Sequence, residues 1–486
     1  MLTSFFAVLP QITLAIGAIA VLMLHLFFGR CFKHIAYVVA QLTLALGAWA
    51  IFWQHEMGIA SGFGGMTMVN GVTYMLQVFT LLIGVFVFVY ARDYITHYQM
   101  QSGEFYALAL LSMLGAFVLI GGHNLLVIYV GLELLSLPMY AMIAMKKADG
   151  NGAEAAIKYF LMGAVGSGLL LYGISFIYGI TGQLDLTGIH QYLMTHQASD
   201  MSLVIVAMVL MIVTMLFKLG VAPFHMWVPD VYEGAPTPIT TFVSTIPKVA
   251  VFGMLIHILS IGLMSQQTTW HEILMVVAIV SIFLGNIVAL AQTNVRRILG
   301  FSTVGHIGFV LLALTLTPLD IGVMKALFYL MVYVLSAAAA FGVLTIAETK
   351  GYQLNVIEDF NGLGDRNRWL SIIMLIILFS MAGIPPLAGF MAKAFVILGL
   401  IGQQHYIIAC YALLLSVVGA FYYLRIVKAM YFKKPTDTML AQQDEVQGHM
   451  LGDGSFVLTF NSMLLVLLGV LPGILIVMTQ YALFSG

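Results

Sequence analysis

The sequence predicts an all-α polytopic membrane protein of about fourteen transmembrane helices, two of them broken, in an inverted repeat. Three observations predict it. The 486 residues are 62% hydrophobic and only 8% charged, with a mean hydropathy of +1.03, and a soluble chain cannot cover that much apolar surface. Apolar runs long enough to cross about 30 Å of hydrocarbon recur from end to end. Lys and Arg collect in alternate connections between those runs, as the positive-inside rule requires of a multi-span protein.

The spans fall at 5–28, 33–54, 74–97, 105–122, 123–145, 154–181, 202–232, 237–264, 271–293, 296–316, 320–348, 368–403, 405–432 and 456–483. In the first, positive charge follows the apolar run, so it is expected to stay as a helix and not to be cleaved as a leader. The fifth holds Glu133 in GLELLSLPMY, an acid well inside an unbroken helix. The sixth pairs Glu154 with Lys158 one turn on.

The seventh is the most unusual. Between Ile212 and Pro238 an apolar helix meets Lys218, is interrupted by Gly220 and Pro223, and continues through His225, Asp230 and Glu233. Proline removes an N–H and clashes with the carbonyl four residues back. Broken backbone and ionisable side chains survive at membrane depth only inside protein or beside water. In the eighth, Lys248 directly follows Pro247, about 15 Å along the helix and beyond the reach of snorkelling. The tenth carries His306 among Ser302, Thr303 and glycines, where a packing role and a relay role fit equally. His25 and His257 have less polar company and read as structural. Lys325 lies near the start of the eleventh, at snorkelling depth. The twelfth is broken by Gly383, Pro385, Pro386 and Gly389 ahead of Lys393.

Two Gly/Pro-broken helices in corresponding positions suggest a repeat with ion sites at the breaks. The division expected is 1–103 for N-terminal helices, 104–264 and 265–432 for two halves broken near 218–225 and 383–393, and 433–486 for a solvated loop and last helix. Lys218 precedes its break and Lys393 follows its own, so the two local registers do not superpose.

A net charge of −1 argues against a nucleic-acid partner. Cys31 and Cys410 are far apart and the histidines scattered, so no disulfide framework, metal site or redox centre is suggested. Fourteen basic residues, Arg30, Lys33, Arg92, Lys146, Lys147, Arg296, Arg297, Lys350, Arg366, Arg368, Arg425, Lys428, Lys433 and Lys434, share one face. That face is cytoplasmic and both termini periplasmic. The five that remain, Lys158, Lys218, Lys248, Lys325 and Lys393, are all lysine. Arginine holds its proton permanently and lysine can release it, which is what proton transfer requires.

These motifs resemble the antiporter-like subunits of respiratory complex I, most closely the N-type subunits of bacterial proton-translocating NADH:quinone oxidoreductases. The resemblance covers essentially the whole chain. It rests on GLELLSLPMY, FKLGVAPFHMWVPDVYEGAPTP, STIPKVAVF and MAGIPPLAGFMAKAF. The chain ends too soon for the lateral helix of L-type subunits, and M-type subunits usually carry glutamate where Lys393 stands. Plastid and cyanobacterial relatives that take electrons from ferredoxin share the resemblance.

The resemblance implies a proton-translocating subunit without redox chemistry of its own. It makes Glu133 and Lys218 a buried ion pair, Lys248 the central relay and Lys393 the exit-side group, with His225, Lys158, Lys325 and His306 as further proton-transfer candidates. NADH, flavin, iron–sulfur clusters and quinone belong to partner subunits, some of them antiporter-like neighbours, in a bacterial inner membrane. A subunit of a multisubunit sodium/proton antiporter is the alternative, but sodium needs oxygen-rich cages and acids are scarce within these helices. A mere scaffold would not need titratable groups at the midplane, each costing about 2.5–3.5 kcal/mol on insertion scales.

The basic face generates a topology prediction. Single cysteines introduced at Lys146 or Lys434 will resist an impermeant thiol reagent added from the periplasmic side, and cysteines in the Gln183 to Ser202 connection will react. Labelling from outside at either lysine position would overturn the helix count.

Overall fold

Among the described residues, thirteen helices are long and apolar enough to cross a membrane, and a fourteenth crossing is made by two shorter ones. The computed structural model describes residues 2–29, 34–58, 61–146, 149–195, 201–435 and 452–484. Arg30, Cys31, Lys33, Lys147, both chain termini, 196–200 and 436–451 of the predicted loop lie outside the described residues.

A short α1 (Leu2–Phe6) precedes α2 (Leu9–Phe28), α3 (Ile35–Glu56) and α4 (Gly71–His97). Then come α5 (Ser102–Gly121), α6 (Leu125–Ile143), α7 (Gly150–Thr181) and α8 (Leu186–Thr195). The predicted seventh span is α9 (Met201–Leu219) plus α10 (Trp227–Gly234), followed by α11 (Thr237–His257), α12 (Gln267–Ala291), α13 (Val295–Leu314) and α14 (Leu319–Thr349). After the single turn α15 (Leu363–Arg366), the broken twelfth span is α16 (Arg368–Ala382) plus α17 (Ala388–Gly402), and α18 (Tyr406–Phe432) follows.

One span and one connection differ from the sequence reading. The last is not one rod: it runs Asp453–Val470 and Gly473–Phe484, parted at Pro472, whose ring cannot continue the helix. The connection read as a plain loop from Gln183 contains α8, which buries Leu186, Ile189 and Leu193 on one side.

α11 and α14 form the centre, buried along their full hydrophobic windows, whereas α2, α18 and the final helices keep wide apolar faces outward for lipid. Around that centre two helix groups pack alike at one offset in the chain. A Cβ added to Gly115 of α5 would land on the backbone nitrogen of Leu135 in α6, and one added to Gly285 of α12 on that of Gly305 in α13. Asn124 caps α6 and Asn294 caps α13. The Leu125 and Val295 amides donate to the carbonyls of Leu184 and Asn355 at 2.9 and 2.8 Å. Four crossings, those of α6, α7, α9 and α11, lie between α5 and α12, so the groups run in opposite directions across the membrane.

The breaks also correspond, which corrects the expectation that their registers differ. Gly220 and Gly383 both adopt left-handed backbone, φ 78° and 86°. Each donates to a carbonyl three residues back at 3.0 Å, and the next amide donates to one five residues back. This is the helix stop that glycine permits without a Cβ penalty. Pro223 and Pro386 each follow by three residues. The lysines occupy different places on a shared backbone frame.

Because Gly285 touches backbone, Gly285→Ala should destabilise the folded protein by about 1–3 kcal/mol through overpacking. Gly179→Ala, with nothing within 4 Å of the added carbon, should be neutral. Thermal unfolding of the detergent-solubilised chain will separate the two, and equal midpoints would refute the close α12–α13 approach.

Candidate functional site

On α6, Glu133, Ser136 and Tyr140 are three and four residues apart and so share a helix face. Lys218, in the last turn of α9, is 2% exposed and extends toward that face. Its Nζ donates to Ser136 Oγ at 2.8 Å and Tyr140 OH at 3.2 Å. The rings of Tyr140, Tyr159 and Phe217 surround it, with centroids 5.6–5.9 Å away. The expected Glu133–Lys218 ion pair is not formed at contact distance. The Glu133 carboxylate is half-buried and one of its oxygens has no hydrogen-bond partner. Hydroxyls further along α6 take the ammonium instead. This avoids the large cost of desolvating two charges against each other.

Lys248 is wholly buried and its Nζ has no hydrogen-bond partner. It lies over Trp227, 4.6 Å from the ring centroid, with Tyr232 at 5.9 Å. Trp227 is fixed from two sides, donating Nε1 to the Phe217 carbonyl at 2.9 Å and stacking on Tyr159 at 4.4 Å. A line of ring contacts therefore joins the surroundings of Lys218 to those of Lys248. Cation–π attraction of this kind is worth up to about 2 kcal/mol when desolvated.

In the second half, Lys393 of α17 reaches back to the end of α16, donating to the Met381 and Ala382 carbonyls at 3.1 and 2.9 Å. Those carbonyls lack helical partners and carry the negative end of the helix dipole. Lys218 stands in the last turn of its own leading half-helix. From opposite sides of two equivalent breaks, both lysines thus arrive at the C-terminus of a leading half-helix, which accounts for their different sequence positions.

His306 is held between hydroxyls, Nδ1 to Tyr329 OH at 2.9 Å and Nε2 to Tyr423 OH at 3.1 Å. Nearby, Tyr333 OH donates to Thr303 Oγ1 at 2.8 Å. A cavity of about 10 Å³, room for about one water, is lined by His306, Tyr329, Ser380 and Gly389. At the offset that relates the halves, His306 corresponds to Ser136, Tyr329 to Tyr159 and Thr303 to Glu133.

Lys158 pairs with Glu154 at 2.8 Å, as the spacing predicts, and also with Asp230 at 3.0 Å. Arg297 holds Asp230 at 3.0 Å and Glu233 at 2.9 Å. Together they line a cavity of about 260 Å³. His225 is buried in the break, with Nδ1 unpartnered and its ring edge-on to Phe301 at 6.0 Å. Lys325 is partly buried with its Nζ against Gly399 of α17. At the opposite end, His123 contacts Thr187 Oγ1 at 2.7 Å and faces Asp185 at 3.7 Å. Burial pushes that imidazole below its ordinary range while Asp185 pulls it up. His257, read from the sequence as structural, is buried with both ring nitrogens unpartnered.

Sequence reasoning missed Ser136, Tyr140, Trp227, Tyr329 and Tyr423. Ser136 and Tyr140 were findable from their spacing to Glu133. The others needed the tertiary packing.

A lipid-spanning bundle of two halves packed alike in opposite directions, each broken at Gly-x-x-Pro beside a buried lysine, defines the antiporter-type class of membrane protein. The transmembrane family of NADH:quinone oxidoreductases and Mrp antiporters matches over residues 122–419, and the chain belongs to that family. It is 45% identical to the NADH-quinone oxidoreductase subunit N of Francisella tularensis subsp. holarctica, over 97% of each chain. Its structure is similar to a chain of respiratory complex I from Thermus thermophilus with bound aureothin, with a TM-score of 0.78 and 30% identity, covering 96% of this chain and 98% of that one. A chain of the Mrp complex from Dietzia sp. shares the fold, with a TM-score of 0.84 at 19% identity over 99% and 97%. The likeness to N-type subunits drawn from the motifs is borne out.

Ser136 and Tyr140 generate a stability prediction. Ser136→Ala with Tyr140→Phe should cost about 1.5–3 kcal/mol for each hydrogen bond lost to the ammonium, read by thermal unfolding. In a Lys218→Met background the same pair should cost much less. Equal losses in both backgrounds would remove Lys218 from this contact.

Proposed function

We propose that the chain is a proton-translocating membrane subunit of a bacterial NADH:quinone oxidoreductase, moving protons through its buried relay while redox chemistry proceeds in partner subunits. The observation that carries this reading is the set of buried groups Lys218, Lys248, His306 and Lys393 within the fold of the N-type relatives, with ring faces joining the first two and Tyr329 and Phe309 lying between the last two. Both termini are periplasmic in this reading, and the two halves correspond to 104–264 and 265–432.

Lys248 is the central relay. It sits at the middle of a fully buried helix and its ammonium makes no hydrogen bond that would lock the proton in place. Glu133 and Lys218 tune one another across the hydroxyls of α6. Lys393 and His306 serve the second half, and His225 lies where the first break meets α13. Lys158 and the cavity it shares with Asp230 and Arg297 lie on the uptake side. Lys325 lies near the periplasmic end.

The energies suffice. Moving one charge against 100 mV costs about 2.3 kcal/mol. Two unit charges 8 Å apart at an effective dielectric of 20 interact by about 2 kcal/mol. Shifting one proton along this set therefore changes the next site by an amount comparable to the work required. The fold is common to Mrp complexes and does not itself choose the ion, so the measurement should use sodium-free medium.

Lys248→Arg keeps the charge and holds its proton permanently. In sealed vesicles oxidising NADH without sodium, followed with a pH-sensitive dye, the variant at normal assembly should pump about tenfold more slowly or worse, as loss of a proton-transfer group predicts. Normal pumping would make Lys248 a fixed positive charge. Wild-type acidification that depends on added sodium would favour the antiporter reading.

A further inference from the structure

Three cavities open at the end of the bundle where Lys and Arg collect, and their charges differ. One of about 870 Å³ is lined by Tyr37, Trp369, Asp453 and Phe456, and its Asp453 is paired with Arg92 at 2.6 Å. The second, beside Lys158 and Arg297, contains three carboxylates, those of Glu154, Asp230 and Glu233. The third, about 400 Å³, has Arg425, Lys428 and Lys433 in its wall with Glu358 as its one carboxylate. Arg425 donates to the Leu290 carbonyl at the end of α12. Lys428 and Lys433 are exposed, and none of the three cations forms an ion pair among the described residues. Among the described residues, positive charge is neutralised in the first two cavities and left in excess in the third.

The surface leading to this cavity is apolar on two adjacent helices. On α12, Val276, Val280, Phe283 and Ile287 are exposed at intervals of three and four residues, and on α18 so are Leu414, Val417, Phe421 and Leu424. Each set is one stripe of a helix. The helices are bound to each other, with Tyr411 OH on the Ile279 carbonyl at 2.9 Å and Tyr422 OH on Asn286 Oδ1 at 3.3 Å. Both stripes run toward the cations. Arg425 and Lys428 lie about 30 Å along α18 from its start, the thickness of the hydrocarbon layer, hence at headgroup depth.

We propose that this cavity binds the anionic headgroup of a membrane phospholipid, with the acyl chains lying along the stripes of α12 and α18. The phosphate oxygens accept from Lys428, Lys433 and the remaining guanidinium donors of Arg425. A headgroup with a cationic choline is disfavoured because it would place a fourth positive charge beside three. The charge excess selects an acid and the apolar stripes select a ligand with chains. Basic recesses between membrane helices on the cytoplasmic side suit acidic lipids for these reasons.

The test uses the full chain in phosphatidylcholine nanodiscs doped with a phosphatidylglycerol probe carrying a photoreactive acyl chain, or with a phosphatidylcholine probe of identical chains. Labelled peptides are quantified by mass spectrometry. Labelling of α12 and α18 should be at least about fivefold higher with the acidic probe, the factor that one lysine near an anionic surface contributes. Lys428→Glu with Lys433→Glu should remove that preference without changing labelling of α2 and α3, which reports that the bundle is folded. Arg368→Glu, on the same face but away from the cavity, should leave it intact.

Equal labelling by the two probes, or a preference that survives the double substitution, would overturn the proposal. Displacement of the acidic probe by inorganic phosphate alone would identify a free-anion site and overturn the lipid assignment. Crosslinking of Lys428 to another polypeptide in native membranes would make the surface a protein interface and overturn it as well.

Discussion

A cation in hydrocarbon must be solvated by the protein that carries it, and this bundle meets that constraint in a different way for each buried lysine. Lys218 is taken by two hydroxyls, Lys393 by two carbonyls at a helix end, and Lys248 by ring faces with no hydrogen bond at all. Lys158, which is exposed, is paired with two carboxylates instead. The helix breaks follow from the same need. An unbroken helix keeps its carbonyls for itself, and only a terminus offers free ones at membrane depth. The glycines in left-handed backbone make such termini possible inside the bundle. The surrounding helices provide the protein walls that broken backbone requires.

The two halves show one backbone frame carrying two chemistries. The close approach at Gly115 and Gly285, the capping asparagines and the glycine stops are common to both. At the positions that face the lysines, Ser136 is matched by His306 and Glu133 by Thr303. The first half places a carboxylate near a lysine held by hydroxyls. The second places an imidazole between two phenols, near a lysine held by backbone. Geometry is conserved between the halves where helices touch, and composition differs where protons would be handled.

Much of the fold was legible because membrane helices obey constraints that act along the sequence. Apolar length, proline and glycine breaks, and the side on which cations fall all survive without knowledge of packing, and they located every span. Pro472 was equally visible, but its break was missed because the flanking run is apolar throughout. The lysines were legible because a charge at the midplane stands out against hydrocarbon. Their partners were not. The resemblance named Glu133 as the ion for Lys218, whereas a hydroxyl partner declares itself only by contact. Ser136 and Tyr140 ordinarily pass as packing residues. Trp227 becomes informative only once the break turns it beneath Lys248. The equivalence of the breaks was visible in KLGVAP and MAGIPP, but comparison of the lysines instead of the glycines hid it.

The full burial of α11 has a consequence for how the protein is made. In the finished bundle no face of that helix meets lipid, and α14 is among the helices that cover it. A chain synthesised from its N-terminus delivers α11 to the bilayer while α14 is still to be translated. During that interval one flank of the helix carrying Lys248 has its permanent neighbours missing, and the insertion machinery or a temporary neighbour must shield it. The helix most deeply enclosed at the end is therefore among the most dependent on what accompanies it at the beginning, and damage to α14 will be felt first as a failure of biogenesis and only afterwards as a failure of transport.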